Sequence, residues 1–433
     1  MSKNENIKLY LKSLKIINNN TIVYDYTVTD DIKEYFNLNN KFYAKYDQNI
    51  ADTPNSIAVI PFLANIMPIA WFVGFDVYID NIDTTFYNSL KELKKQFIKF
   101  HPTKNIKGEL HINNKIDTIL DGNNTSLLFS GGLDTYDSYS RLHDKDPFLI
   151  SIHGADVKID DTVKWNKFVK FNSEEDIINH SKLFYVESNL REFYTYKVDL
   201  LVDGLGWWGA VQHGMALLGV LAPLSYKHKI TDINIAASAT NEVTYSWGSS
   251  PYIDENMKWA NCKVTHNGYE FRRTEKTQNV VDFVNSIDYQ LKLRVCYADE
   301  RVDYNCNVCH KCQRTILSLI LANANPKDYG FIVPSNFYSL LFKNFGDDAV
   351  MTKGLKYQWT CIQDKARETD TFFVIQDQTK EKEAITKFMN LDLDAIINKN
   401  QESVLKKKKS RFLLQKKYPL LYKIYKLIRY QKI

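Results

Sequence analysis

Residues Thr125 to Ser138 read TSLLFSGGLDTYDS, and what the chain does at the two glycines decides how the rest is understood. Leu127, Leu128 and Phe129 are β-formers. Ser130-Gly131-Gly132 ends that run, and an acidic, polar helix start follows. Two structures satisfy the pattern. One is an ordinary turn, since Ser-Gly pairs punctuate many chains. The other is a loop shaped for phosphate. Glycine has no Cβ to hold an anion away and tolerates positive φ, and the N–H groups of the loop and of the next helical turn point at such a ligand. Ser130 and Thr135 add hydroxyls, while Leu133 opens the helix. Asp134 belongs beside phosphate only with a divalent cation between them, so Mg²⁺ carried by a polyphosphate reconciles the set. The Walker pattern of glycines and a Lys-Ser/Thr pair is absent, so this is another kind of loop.

Around that loop, apolar runs alternate with helical spacing. Strands are expected at Ser126–Phe129, Phe148–Ile152, Leu183–Val186, Asp232–Ala236 and Leu293–Cys296. Helices are expected at about Thr135–Leu142, Asp161–Lys170, Trp207–Leu221 and Lys276–Ile287. Such alternation predicts an α/β fold with a parallel, doubly wound sheet that binds ligands at the carboxyl ends of its strands. Residues 1–115 read as an α+β domain, with strands at Thr21–Val28, Lys41–Asp47 and the FDVYID run, and a helix at Thr84–Phe100 capped by Asp83 or Thr84. The NIKGELHINNKID stretch reads as a hairpin-like connector into the central domain, residues 116–330. Residues 331–433 read as a helical region ending in a basic tail.

Composition is that of a globular protein, with 44% hydrophobic and 25% charged residues over 433 positions. The net charge of +5 is unevenly spread. From Gln401 onward there are eleven Lys/Arg and one acid, Glu402, so the remaining 45 basic and 50 acidic residues leave the body at −5. A mildly acidic body argues against a nucleic-acid groove there and for a separate electrostatic role of the tail. In the tail, Leu420, Leu421, Ile424, Leu427 and Ile428 share one helical face, and Lys423, Lys426 and Arg429 another. That suits either a peripheral contact with an anionic membrane surface or docking onto the acidic body. The start MSKNENIKLYLKSL lacks a signal-peptide core, so a cytoplasmic location is expected, with the inner membrane face as the tail's target. Ile57–Gly74 is long and uncharged but holds Pro61, Asn65 and Pro68, and predicts a buried helix kinked at proline. Trp207–Leu224, interrupted by Gln212 and His213, predicts a core helix.

Four of the six cysteines are Cys296, Cys306, Cys309 and Cys312. Without a secretory signal disulfides are not expected, and four thiolates are what a closed tetrahedral zinc site takes. An iron–sulfur cluster is the alternative. Arg301, His310, Lys311 and Arg314 would offset the charge, and His310 is a competing ligand. Such a site pins a loop to helix Val308–Leu321 and performs no chemistry. Cys262 and Cys361 are isolated and expected to be buried.

The sequence SGGLDT resembles the Ser-Gly-Gly-x-Asp-Ser motif of the PP-loop ATP pyrophosphatases, with Thr135 in place of the last serine. The resemblance implies a HUP-like sheet and cleavage of ATP between its α and β phosphates. AMP passes to an oxygen of the acceptor, and pyrophosphate is held by Ser130, Gly131, Gly132 and Thr135. Ile152, His153 and Gly154, after the second strand, then become nucleotide contacts, though His153 also suits a structural role. With the cysteine cluster, the chain from Thr125 to Asn323 resembles the 7-cyano-7-deazaguanine synthases of queuosine precursor synthesis. In those enzymes a carboxylate is adenylated and ammonia displaces AMP. The chain departs from them in its extra N- and C-terminal regions, in Asn307-Val308 between Cys306 and Cys309, and in FRRTEKTQ (Phe271–Gln278) where that family has a Lys-Ala-Glu stretch. A changed substrate follows, as in extended relatives of phage-defence or surface-polysaccharide and cell-wall loci.

The expectation is therefore a carbon–nitrogen ligase using ATP and Mg²⁺. Its acceptor would be a small-molecule or protein carboxylate and its donor ammonia or an amine, in a chain that forms a homo-oligomer or acts alone. Arg272, Arg273 and Lys276 would meet the α-phosphate or the acceptor carboxylate. Ser238, Asn241 and Glu242 would touch ribose, metal or substrate, or form an ordinary polar loop. Two other readings stay open: an ATP-binding scaffold or sensor at the membrane, and a tRNA-modifying enzyme.

Overall fold

The structure, a computed structural model, describes residues 7–203, 206–243, 247–296, 304–346, 351–397, 410–415, 417–418 and 420–422. Arg301 and the tail positions Lys423, Ile424, Lys426, Leu427, Ile428 and Arg429 lie outside the described residues. Ten strands form one sheet: β1 (Lys8–Ile17), β2 (Thr21–Val28), β3 (Tyr43–Tyr46), β4 (Asp76–Asp83), β5 (Leu110–Ile116), β6 (Asn124–Leu128), β7 (Phe148–His153), β8 (Leu183–Ser188), β9 (Ile230–Ala236) and β10 (Lys263–Asn267). Their order is β10-β9-β6-β7-β8-β3-β2-β1-β4-β5. The five strands from β10 to β8 are mutually parallel. Strand β3 then joins β8 antiparallel, so the N-terminal strands extend the same sheet. The expected boundary at residue 115 falls inside β5, within one continuous sheet.

The helices that position the site are α1 (Ile60–Val73), α2 (Thr84–Phe100), α3 (Leu133–Leu142), α4 (Thr162–Ser173), α5 (His213–Gly219), α6 (Ala222–His228), α7 (Arg273–Ser286), α8 (His310–Leu321) and α9 (Lys353–Arg367). One core lies against Ile150, Ile152, Phe184 and Val186 and takes in α1, α5 and α6. A second lies against Leu127, Leu149 and Leu183 and takes in α3, α7, α8 and α9. The parity of those strand positions puts the two cores on opposite sheet faces, the doubly wound arrangement.

Helix α1 is buried along nearly its whole length, although the Asn55–Val73 stretch is long and apolar enough to cross a membrane. Its Asn65 accepts from the Gln212 amide (2.8 Å), which also donates to Leu190 O (2.6 Å), so a polar side chain from each apolar segment meets the other, while Gln212 Oε1 is buried without a partner among the described residues. Asp83 caps α2 by accepting the Phe86 N–H at 2.9 Å, as its position before the helix predicts.

Three expectations are corrected. The NIKGELHINNKID stretch contains β5, a parallel edge strand beside β4, because α2 carries the chain back along the sheet before it pairs. Leu293–Cys296 is buried as expected but stands outside the sheet: Leu293 N bonds Tyr329 O (3.1 Å) and Arg294 N bonds Gly131 O (2.7 Å). The edge strand next to β9 is Lys263–Asn267 instead. Burial is a property of the side chains, whereas a strand also needs a backbone partner, and this segment's partner is the glycine loop. Helix Trp207–Leu221 is broken into a π turn at Trp208–Gln212, α5, and then α6, which Pro223 restarts.

Candidate active site at the glycine loop

From β6 the chain moves to β7 and β8 on one side, and later to β9 on the other. Strand β6 is therefore the switch point, where loops to either side diverge and leave a crevice at the carboxyl ends. The Ser130–Thr135 loop sits there. Gly131 has φ +67°, and a Cβ on it would lie 2.7 Å from Phe171 Cε1. Gly132 is the N-cap of α3. The hydroxyls of Ser130 and Thr135 stand 2.8 Å apart across the loop. Arg294 clamps the loop from outside, its N–H on Gly131 O and its Nη1 on Ser130 O (3.3 Å).

The loop opens into a cavity of about 730 Å³. Its apolar part is formed by Ile152, Val157, Trp165, Phe168, Leu217 and Ile235. Among the described residues, its charged lining is one-sided: Arg273, Arg294, Lys311, Arg314 and Lys353 against Asp134 and Asp156. Arg273 Nη1 donates to both oxygens of Asp134 at 2.9 Å, and its Nη2 donates to Thr315 Oγ1 (3.3 Å). Burial opposes ionisation of Asp134, yet Arg273, Lys276 and Lys311 outweigh it and hold the carboxyl below its ordinary range. Arg314 has no carboxylate partner among the described residues: its Nε donates to His310 O (3.2 Å), and its Nη1 is buried without a partner. Burial, with Arg273 nearby, pulls the Lys311 ammonium down to about 8. Keeping the Arg314 guanidinium out of water without an anion beside it is unfavourable. A polyanion entering the cavity would relieve it.

Of the residues singled out from sequence, Ser130, Gly132, Leu133, Asp134, Thr135, Ile152, Ser238 and Arg273 line this cavity. Lys276 lies behind it, in a small adjoining recess with Asp134 and Ser238, and donates to Ala237 O. Gly131 shapes the loop without lining the cavity. His153 is 3% exposed and points elsewhere: its ring stacks on Trp165 at 4.4 Å and its Nε2 sits 3.0 Å from Lys158 O. It holds the wall that Trp165 presents. Gly154 has φ +102°, and a Cβ there would fall 1.8 Å from Ser188 O, a requirement of packing. Arg272 and Glu242 pair with each other at 2.8 Å, outside the cavity, and Asn241 does not line it.

Sequence reasoning missed Arg294, Asp156 and Lys353 and counted Lys311 and Arg314 only as charge balance for a metal. An arginine inside the apolar run Leu293–Val295, and the i, i+3 spacing of Lys311 and Arg314 on one helix face, were the available signals. Lys353 left none.

The Sγ atoms of Cys296, Cys306, Cys309 and Cys312 lie within 4.8 Å of one another and can hold a metal ion. Three sulfur pairs stand at 3.9, 3.9 and 3.6 Å. A tetrahedron with metal–sulfur bonds of about 2.3 Å has sulfur–sulfur edges of about 3.8 Å, so the donor set fits zinc. Cys309 is the N-cap of α8, and Lys311 and Arg314 project from that helix's first turns into the cavity. The cysteine cluster thus sets the position of two of the five cations.

No family model, no curated protein and no solved structure matches the chain.

Proposed function

We propose that this chain is an ATP-dependent adenylating enzyme of the PP-loop type, similar to the 7-cyano-7-deazaguanine synthases, joining an activated carboxylate to a nitrogen nucleophile. The observation that carries the reading is the charge that the described residues bring to the cavity: five cations and two carboxylates beside a glycine loop at the sheet's switch point. The base would rest against Ile152, Val157 and Phe168, and the phosphates against Ser130, Gly132, Thr135, Arg273 and Lys311. A carboxylate oxygen of the acceptor attacks the α-phosphorus, the bond to the β-phosphate oxygen breaks, and pyrophosphate leaves with that electron pair. The nitrogen then attacks the acyl carbon, the bond to AMP breaks, and the nitrogen loses a proton. Cations preorganised around the phosphorus stabilise the charge that develops there.

Asp134 and Asp156 are the carboxylates that would hold Mg²⁺, which usually takes one or two protein carboxylates plus phosphate oxygens and would neutralise charge on the leaving group. Zinc on the four cysteines would be structural. Purified protein with ATP, Mg²⁺ and candidate carboxylates should release AMP and pyrophosphate in equal amounts, and Ser130→Ala with Asp134→Asn should abolish this. ATP recovered intact with every acceptor would remove the enzyme reading.

A second reading has its own support. Arg273 already engages both oxygens of Asp134, so the loop's charge is balanced without an ion, which suits an ATP-binding scaffold or sensor without turnover. Tight ATP binding with no cleavage of the α–β bond would favour it.

A further inference from the structure

Helix α9, from the region expected to be helical and to end in a basic tail, begins at the cavity. Thr352, Lys353, Gly354 and Leu355 form part of the wall, and Gly354 also faces the recess that holds Asp134, Ser238 and Lys276. The Thr352 side chain accepts the Leu355 N–H at 3.2 Å. The amides of Lys353 and Gly354, in the same first turn, have no acceptor within the helix, and they carry the positive end of a 15-residue helix.

A helix end alone selects nothing. Here a second feature shares the cavity: Arg314 is 7% exposed, and its Nη1 is buried with no hydrogen-bond partner among the described residues. An unmet N–H on a buried charged group is costly, and in this place an anion oxygen would satisfy it. Gly354 adds the space. A Cβ built on it meets no atom within 4 Å, so no protein atom crowds that side of the helix start. The helix is also fixed in direction. Tyr357 Oη donates to Glu242 (3.0 Å), Glu242 accepts from Arg272 Nε (2.8 Å), and Arg272 stands 3.7 Å from Asp364.

We infer that the first turn of α9, with Lys353 and Arg314, is a second anion subsite that takes the β,γ-phosphate end of ATP and retains pyrophosphate after cleavage. The inference rests on the ATP reading above and assigns the C-terminal region a part in it. Arg272 and Glu242 then act as positioning residues, aiming α9 without touching the nucleotide.

The test uses the full chain and calorimetric titration with three probes: inorganic pyrophosphate with Mg²⁺, α,β-methylene-ATP, and AMP. Gly354→Leu suits it because the backbone there is helical and the side chain enters open space; a thermal melt confirms folding. The expected result is a roughly tenfold or larger loss of affinity for pyrophosphate and the ATP analogue, with AMP binding unchanged within about twofold. Lys353→Ala should lose roughly threefold to tenfold for the same two probes, less at high salt. Wild-type pyrophosphate affinity in both variants overturns the subsite and leaves the ATP reading standing, as does an equal loss for AMP. If the unaltered chain binds none of the three, the ATP reading falls and the subsite with it.

Discussion

The cysteine cluster permits the sharpest prediction, made with Cys309→Ser. Serine is a good helix N-cap, so the substitution preserves or improves the start of α8 while removing one thiolate. A structural zinc site contributes on the order of 10–16 kcal/mol in metal-dependent peptides. Shared over four sulfurs, that is about 3 kcal/mol per ligand, or a loss of zinc affinity on the order of a hundredfold. The purified chain should carry one zinc and no iron or sulfide by elemental analysis. Competition with a chromogenic chelator should show Cys309→Ser releasing zinc at roughly a hundredfold lower chelator concentration. Because Lys311 and Arg314 leave the same helix for the cavity, zinc removal should also weaken binding of Mg²⁺–pyrophosphate. The reasoning fails if the native chain holds no stoichiometric metal and its thermal transition ignores both excess chelator and added zinc. Iron with acid-labile sulfide would replace zinc by a cluster.

Three further outcomes follow from particular contacts. Gly131→Ala should cost about 1–2 kcal/mol for its left-handed backbone, plus the overlap with Phe171; adding Phe171→Leu should recover only the second part in urea unfolding. Arg273→Met leaves Asp134 without its bidentate partner and should cost about 3 kcal/mol, with ATP affinity falling at least tenfold. Asp134 has its carboxyl depressed in the folded chain, so its stabilisation is present above about pH 4 and lost as pH falls through the folded value. Acid denaturation profiles of Arg273→Met should show that dependence flattened. Removing residues 401–433 deletes the eleven tail cations and should abolish any salt-sensitive binding to anionic phosphatidylserine vesicles while leaving the thermal transition of the body unchanged.

What could be read from the sequence alone was what neighbours along the chain control. The left-handed turn needs glycine at 131, Asp83 caps the helix that starts after it, and β-branched and apolar runs mark most strands. The cysteine spacing brings donors together because Cys306, Cys309 and Cys312 lie within one loop and helix turn. Tertiary structure decided which backbone each strand would find. Leu293–Val295 has the side chains of a strand, yet its amides go to Tyr329 and to the glycine loop, and that choice puts Arg294 on the loop. The same holds for the merging of the N-terminal strands into one sheet through β3 and β8. It holds also for the convergence of positions 273, 294, 311, 314 and 353 on one cavity. Local signals act over a few bonds, whereas hydrogen-bond partners and charge clusters depend on which distant segments the packing brings within a few ångströms.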